Sequence, residues 1–157
     1  MSSQRRHTAK QTDSTADSKS AAGNGEGFAH RYPAVPASAA AARAALREFA
    51  ARIGLSQAVS DAIALAVSEA VTNAIVHAYR DAAQPGIVEV AGVVHADELW
   101  VTVADFGSGL RPRLDSPGLG LGLAIIASAA EGLDLVQSAG GGVTLRMRFA
   151  LGKPTDA

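Results

Sequence analysis

The sequence predicts an α/β fold, a two-layer sandwich in which a mixed, mostly antiparallel sheet carries its helices on one face. Segments with the two-residue repeat of strands occur in two pairs joined by short turns, as in hairpins. Segments with a helical repeat have one apolar face each. Hairpins make neighbouring strands antiparallel, and amphipathic helices need a sheet face to cover, so this pattern favours a sandwich over a doubly wound parallel sheet.

Local signals set the bounds of each element. Ser38 and Ser56 are candidate N-caps of the first two helices, and Gly54 is the stop signal between them. Pro85 and Gly86 end the helical half of the chain. In chain order the predicted elements are strand 28–32, helix 38–53, helix 57–79, strand 87–94, strand 99–105, helix 120–131, strand 133–137 and strand 143–151.

Composition limits the class of protein. The chain has 157 residues, 48% of them hydrophobic, and a formal net charge of -1, which fits one domain over 27–157. Residues 1–26 are rich in Ser, Thr, Ala, Gly and charge, so we expect a disordered tail.

The near-neutral charge argues against direct nucleic-acid binding. The absence of cysteine excludes disulfides, thiolate zinc sites and cysteine nucleophiles. No apolar run approaches the roughly 20 residues of a membrane span, and no apolar stretch follows Arg5 and Arg6 as in a secretory signal, so we expect a soluble cytoplasmic protein.

A polar stripe runs along the second predicted helix. Glu69, Asn73 and His77 follow one another at four-residue spacing, beside the apolar face of the helix. A carboxylate and an amide at the boundary of a core suit magnesium, which prefers oxygen ligands, and the carboxylate could also accept a proton. The alternative is a solvated polar face, which is common on helices, with His77 as a structural residue.

The strand before the central loop ends in a carboxylate. Asp105 shares a predicted strand face with Leu99, Val101 and Val103, which places it on the core side. An acceptor there could recognise an exocyclic amino group such as that of adenine. Gly107 and Gly109 follow, and glycine allows backbone to approach a flat ligand closely. The alternative is an ordinary turn at the end of a strand.

A glycine-rich loop runs into the third predicted helix. Gly118, Gly120 and Gly122 alternate with leucines just where that helix begins. Free N–H groups and the helix dipole make such an N-terminus attractive to phosphate. The spacing is not that of a dinucleotide-binding fingerprint, and the chain contains no Walker-type phosphate loop.

The three elements, in this order, resemble the GHKL ATPase superfamily, whose ATP site lies in a Bergerat fold. Within it, the sequence is most similar to the bacterial anti-sigma factors that are also serine/threonine kinases. Residues 65–77 resemble the N-box of those kinases, 105–109 their first glycine box and 118–122 their second. The resemblance covers about residues 28–150 and excludes the tail.

The resemblance implies ATP and Mg2+ as cofactors and assigns roles to the residues that match the family's motifs. Asn73 would bind magnesium, and Glu69 would be the general base that activates a substrate serine. Asp105 would hold the adenine amino group, with Gly107 and Gly109 shaping the base pocket. The second glycine box would hold the phosphates; it consists of Gly118, Gly120 and Gly122. Residues 110–117 would form a short ATP lid, in which Arg111 and Arg113 are candidates for added positive charge; the alternative for either arginine is plain exposure to solvent.

One position departs from the family pattern. Many members have a threonine directly after the glycines of the final hairpin, where it helps to bind nucleotide. Here Val143 takes that place and Thr144 follows. Alternation puts Val143 on the core face and Thr144 on the other face, so that contact is not carried over.

The resemblance implies a sigma factor and a STAS-domain anti-sigma antagonist as partners, with a homodimer as a further expectation and Trp100 as its candidate contact. Two alternatives stay open. One is a nucleotide-binding regulatory module that sequesters its partner without phosphoryl transfer. The other is a detached histidine-kinase catalytic domain, although such domains typically have Asn where Glu69 stands, and no phosphoaccepting histidine helix is evident.

Overall fold

Three helices and five strands form the part of the chain that the computed structural model describes, which is residues 25–79, 82–107 and 119–152, with the backbone alone for 119–121 and 123. The elements are β1 (Gly27–Pro33), α1 (Ala37–Arg52), α2 (Gln57–Ala78), β2 (Ile87–His95), β3 (Glu98–Asp105), α3 (Leu119–Ala129), β4 (Gly132–Gln137) and β5 (Val143–Ala150). Residues 1–24 of the predicted tail and the predicted lid over 110–117 lie outside the described residues.

The sheet has the order β1-β2-β3-β5-β4, and each of its four neighbouring pairs is antiparallel. The expectation of a mixed sheet is therefore corrected for the described strands. β3 and β4 run in the same direction and are joined through α3, but β5 is inserted between them, so no parallel pair forms. The predicted sandwich of an antiparallel sheet and helices is confirmed.

Strand alternation decides which side of the sheet the helices cover. Along β3 and β5 every second residue is buried, and the buried series of β3 ends at Asp105. α2 packs against α1, α3 and this face of β3. The residues of this core that are fully buried with large side chains are Phe49, Leu46, Ile63, Leu99, Ile126, Met147, Val67, Val71, Val88, Val90 and Val101. Buried apolar area of this kind is the main source of stability, at about 25 cal/mol per Å².

The predicted helix signals are confirmed except for one. Ser56 caps α2, because its Oγ accepts a hydrogen bond from the Val59 N–H at 3.4 Å, an interaction that contributes about 1 kcal/mol. Gly54 adopts a φ of 75°, the left-handed conformation that ends a helix. Ser38 was predicted to cap α1, which is wrong. The N-cap is Pro36, two residues earlier, and the Ser38 hydroxyl donates to the Pro33 carbonyl instead.

Among the described residues, α2 is the one helix long and apolar enough to cross a membrane by length and composition. Its Ile63, Val67 and Val71 lie in the core, fully covered by the sheet and the other helices. Such burial is what the central helix of a folded domain shows.

The other face of the sheet is not covered by any described helix. Trp100 lies there, as predicted, and its Nε1 donates to Glu98 Oε2 at 3.1 Å. Arg148 is on the same face and bonds to Glu98 Oε1 at 2.9 Å. A shallow groove of about 330 Å³ lies beside Trp100 and Arg146.

Candidate nucleotide site

Two of the predicted site residues lie on α2 at the edge of the core. Glu69 and Asn73 are half-buried, one turn apart, between fully buried Val67 and Val71 and an exposed flank of the helix. His77, the third member of the predicted stripe, is half-buried one turn further on and is engaged by other groups. Their position at the boundary holds the polar side chains against the core while leaving them open to a ligand.

The first turns of α3 meet this pair. Gly122 lies in α3 and is buried, and a methyl group in place of its hydrogen would lie 3.1 Å from Asn73 Nδ2 and 3.3 Å from Glu69 Oε2. The missing side chain thus leaves room for the ends of both polar residues. The structure brings together the N-box pair and the glycine-rich helix start, which are about 50 residues apart in the sequence. Gly120 lies in the first turn of α3, and Gly118 lies outside the described residues.

Asp105 forms a second part of the site. It is only 8% exposed at the end of β3, and its Oδ1 accepts hydrogen bonds from the Gly107 N–H at 3.1 Å and the Val143 N–H at 3.3 Å. Its Oδ2 accepts no hydrogen bond from the described residues. Burial raises the pKa of this carboxyl above its usual 3.8, and the two N–H bonds oppose that rise. A fixed carboxylate with one oxygen free to accept suits the recognition of an amino group.

Two glycines allow the backbone to pass close to Asp105. A methyl group at Gly107 would overlap the Ala78 carbonyl at the end of α2, and one at Gly142 would overlap the Asp105 carbonyl. Both contacts are with backbone, which does not move aside as a flexible side chain does. Gly109, the other glycine of the first box, lies outside the described residues.

α2 connects the two parts of the site. Asn73 contacts the position of Gly122, and Ala78, five residues later, contacts Gly107 beside Asp105. Five residues of helix advance about 7.5 Å. The helix therefore sets the spacing between the two parts of the site, the Asp105 turn on one side and the Glu69–Asn73 pair on the other.

Two contributions to the site do not follow from the sequence pattern. The Val143 side chain lies on the core face as predicted, but its backbone N–H also donates to Asp105. Tyr79 lies at the end of α2, and its hydroxyl donates to the Ile87 carbonyl at 2.7 Å and accepts from the Phe106 N–H at 2.9 Å. The sequence signal for Tyr79 is a tyrosine at the end of a helix, followed a few residues later by Gly86, a residue without a side chain that leaves room for the ring.

The chain belongs to the family of histidine kinase-like ATPase domains, whose model matches residues 32–149. This is a GHKL domain, and membership implies ATP as its ligand. No curated protein matches the chain significantly. The arrangement of Glu69, Asn73 and Gly122 and the free oxygen of Asp105 are consistent with a site for phosphates at one end and adenine at the other.

The solved structures that are similar to this chain include the following three. One contains the RsbU and RsbW domains of Rv1364c from Mycobacterium tuberculosis; its TM-score is 0.66 at 26% identity, and the match covers 82% of this chain and 33% of that chain. The second is the histidine kinase domain of the blue-light activated histidine kinase EL346 from Erythrobacter litoralis, with a TM-score of 0.51, 32% identity and coverage of 60% and 46%. The third is a structure of EL346 itself, with a TM-score of 0.52, 30% identity and coverage of 66% and 34%. In each case this chain spans less than half of the matched chain. These neighbours share the fold of this chain.

Proposed function

We propose that the protein is a cytoplasmic, ATP-dependent protein-serine kinase that acts as an anti-sigma factor. It binds a sigma factor and phosphorylates a STAS-domain antagonist of that interaction. The observation that carries the proposal is the meeting of Glu69, Asn73 and Gly122, since it places a carboxylate at the start of the glycine-rich helix. The similarity to a structure that contains an RsbW domain supports the choice of kinase class.

Each residue has a defined task in this reaction. Glu69 accepts the proton of the substrate serine hydroxyl as the serine oxygen bonds to the γ-phosphorus. The bond from that phosphorus to the β–γ bridging oxygen breaks, and ADP leaves with the electron pair. Asn73 offers an amide oxygen to a magnesium ion, which would neutralise phosphate charge. Free N–H groups in the first turn of α3, which includes Gly120, would face the phosphates.

The residues present fit magnesium. Asn73 supplies an amide oxygen, and magnesium commonly uses one or two protein oxygens together with substrate phosphates. Glu69 lies beside Asn73 at Gly122, where its carboxylate remains available as the base. Asp105 would accept a hydrogen bond from the adenine amino group through Oδ2. The roles of Gly109 in the base pocket and of Gly118 at the phosphates stay predictions from the resemblance. Added positive charge from Arg111 and Arg113 stays a prediction as well.

The test is phosphoryl transfer to a STAS-domain antagonist from the same cell. Full-length protein with magnesium and radiolabelled ATP should give an acid-stable phosphoserine on the antagonist. Glu69→Gln should slow transfer roughly 10²–10⁴-fold, because it removes the base and keeps the shape. Glu48→Gln, an exposed glutamate on α1, is the matched control and should leave the rate unchanged.

Two other outcomes identify the competing functions. ATP binding without transfer to any antagonist, in wild type and Glu69→Gln alike, would support a regulatory module that works by sequestration. Acid-labile phosphate would support a histidine-kinase catalytic domain, the activity of the EL346 protein, which is up to 32% identical to this chain. A homodimer through the sheet face that carries Trp100 stays a prediction, tested by the oligomeric state of Trp100→Ser.

A further inference from the structure

The Tyr79 hydroxyl lies between the start of β2 and the end of β3. It donates to the Ile87 carbonyl at 2.7 Å and accepts from the Phe106 N–H at 2.9 Å. A phenol hydroxyl has one hydrogen to donate and lone pairs that accept, so it acts here as donor and acceptor at the same time. The residue that follows α2 is thereby tied to two strands at once.

The sheet register shows what this hydroxyl does. Val88 and Asp105 are the last paired residues of β2 and β3 at this end. If the ladder continued by one position, Ile87 and Phe106 would face each other. The hydroxyl stands between their backbone groups, so the ladder opens directly after Asp105, and the chain turns away from the sheet at Phe106.

The surroundings hold the Tyr79 ring and this turn closely. A methyl group at Gly86 would overlap the ring, and a methyl group at Gly107 would overlap the Ala78 carbonyl. The turn brings the Gly107 N–H to Asp105 Oδ1 at 3.1 Å. The orientation of the Asp105 carboxylate therefore depends on where Phe106 leaves the sheet, and Tyr79 sets that point.

We propose that Tyr79 is a positioning residue for adenine recognition. By holding the ladder open after Asp105, it places the Gly107 N–H on Oδ1 and leaves Oδ2 free for the adenine amino group. It also fixes this end of the site to α2, the helix that carries Glu69 and Asn73. The proposal rests on the proposed ATP site but not on the transfer step.

The test compares two nucleotides that differ in the group at issue. Purine riboside triphosphate lacks the exocyclic amino group of ATP. Tyr79→Phe keeps the ring packed on Gly86 and removes both hydrogen bonds. We expect it to weaken ATP binding about tenfold, the effect of about one hydrogen bond, and to leave purine riboside triphosphate almost unaffected. The ratio of the Kd for purine riboside triphosphate to the Kd for ATP should therefore fall towards one.

Tyr32→Phe is the matched control. Tyr32 is a partly buried tyrosine on β1 whose hydroxyl has no hydrogen bond to the described residues, so its removal should leave the preference intact. Equal weakening of both nucleotides in Tyr79→Phe, or no weakening, would overturn the proposal. If the wild type binds ATP and purine riboside triphosphate equally well, both the adenine contact and this proposal are overturned. If the wild type prefers ATP but produces no phosphoserine, only the proposed kinase function is overturned.

A measurement on the wild type covers the case in which Tyr79→Phe does not fold. The bond to the Tyr79 hydroxyl should slow hydrogen exchange at the Phe106 amide in the absence of nucleotide. Free exchange there, beside a protected β3, would overturn the proposal without any reference to ATP.

Discussion

At the scale of single residues, Asp105 combines burial, charge and a free acceptor. Because burial raises its folded-state pKa, folding favours the neutral acid. That favourable contribution is complete below the unfolded-state pKa and is lost as the pH rises through the folded-state pKa. At neutral pH the charge on this buried carboxylate is therefore a cost to stability.

Asp105→Asn should separate stability from binding. The amide oxygen must face the N–H groups of Gly107 and Val143, so its NH2 group faces the adenine amino group, donor against donor. We expect ATP binding to weaken by about 2 kcal/mol. The variant should be at least as stable as the wild type to urea at pH 7, with the difference shrinking as the pH falls through the raised pKa of Asp105. If Asp105→Asn is less stable than the wild type at pH 7, the conclusion that the Asp105 charge is a cost to stability is contradicted.

Gly122 gives a second residue-scale prediction. Alanine is favoured over glycine inside a helix by about 0.5–1 kcal/mol, so Gly122→Ala should stabilise α3. Its methyl group would lie 3.1–3.4 Å from three side-chain atoms of Asn73 and Glu69, so these two side chains would have to shift by a few tenths of an ångström. We expect an unchanged or higher melting temperature with slower phosphoryl transfer, measured by thermal unfolding and initial rates. An unchanged rate of phosphoryl transfer would show that the arrangement of Glu69 and Asn73 beside Gly122 is not needed for the reaction.

At the scale of elements, the β4–β5 hairpin offers a matched pair of glycines. A methyl group at Gly142 would overlap the Asp105 carbonyl and lie 3.1 Å from the Phe106 Cα, whereas one at Gly140 would meet nothing within 4 Å. Gly142→Ala should therefore cost about 1–3 kcal/mol of unfolding free energy and weaken ATP binding. Gly140→Ala should be neutral in both measurements. Equal effects of the two substitutions would argue against close contact between the hairpin and Asp105.

The elements themselves were predictable because their signals are local. The alternation of β5, which buries Leu145, Met147 and Phe149, is visible in the sequence, as is the cap at Ser56. The error at Ser38 arose because its hydroxyl donates to the Pro33 carbonyl, five residues earlier, and the helix begins after Pro36, which has no capping side chain.

The site was predictable only in part, for a related reason. Glu69 and Asn73 share a helix face, so their proximity follows from helical spacing alone. The other contacts join elements that are distant in sequence. They are the approach of Gly122 to α2, the hydrogen bond from the Val143 N–H to Asp105, and the hydrogen bond from the Phe106 N–H to the Tyr79 hydroxyl. Such contacts depend on how the elements pack, which residue types do not specify.

At the scale of the whole molecule, ATP binding should be visible as stability. A ligand that binds only the folded state stabilises it, by about 2.7 kcal/mol at 100 times its Kd. Denaturation in the presence of ATP and magnesium should show this shift in the wild type. At the same ATP concentration the shift should be clearly smaller in Asp105→Asn. An equal shift in both proteins would place the nucleotide away from Asp105.

The pairing of β3 with β5 also has a consequence for how the molecule is made. Asp105 meets the Val143 N–H 38 residues further along the chain. At about 5–20 residues per second, the ribosome needs roughly 2–8 s to add that length. During that interval the first three strands can pair, but the Asp105 carboxylate lacks one of its two hydrogen-bond donors. If Asp105 recognises adenine as proposed, a nascent chain should not hold nucleotide firmly until the final hairpin has emerged.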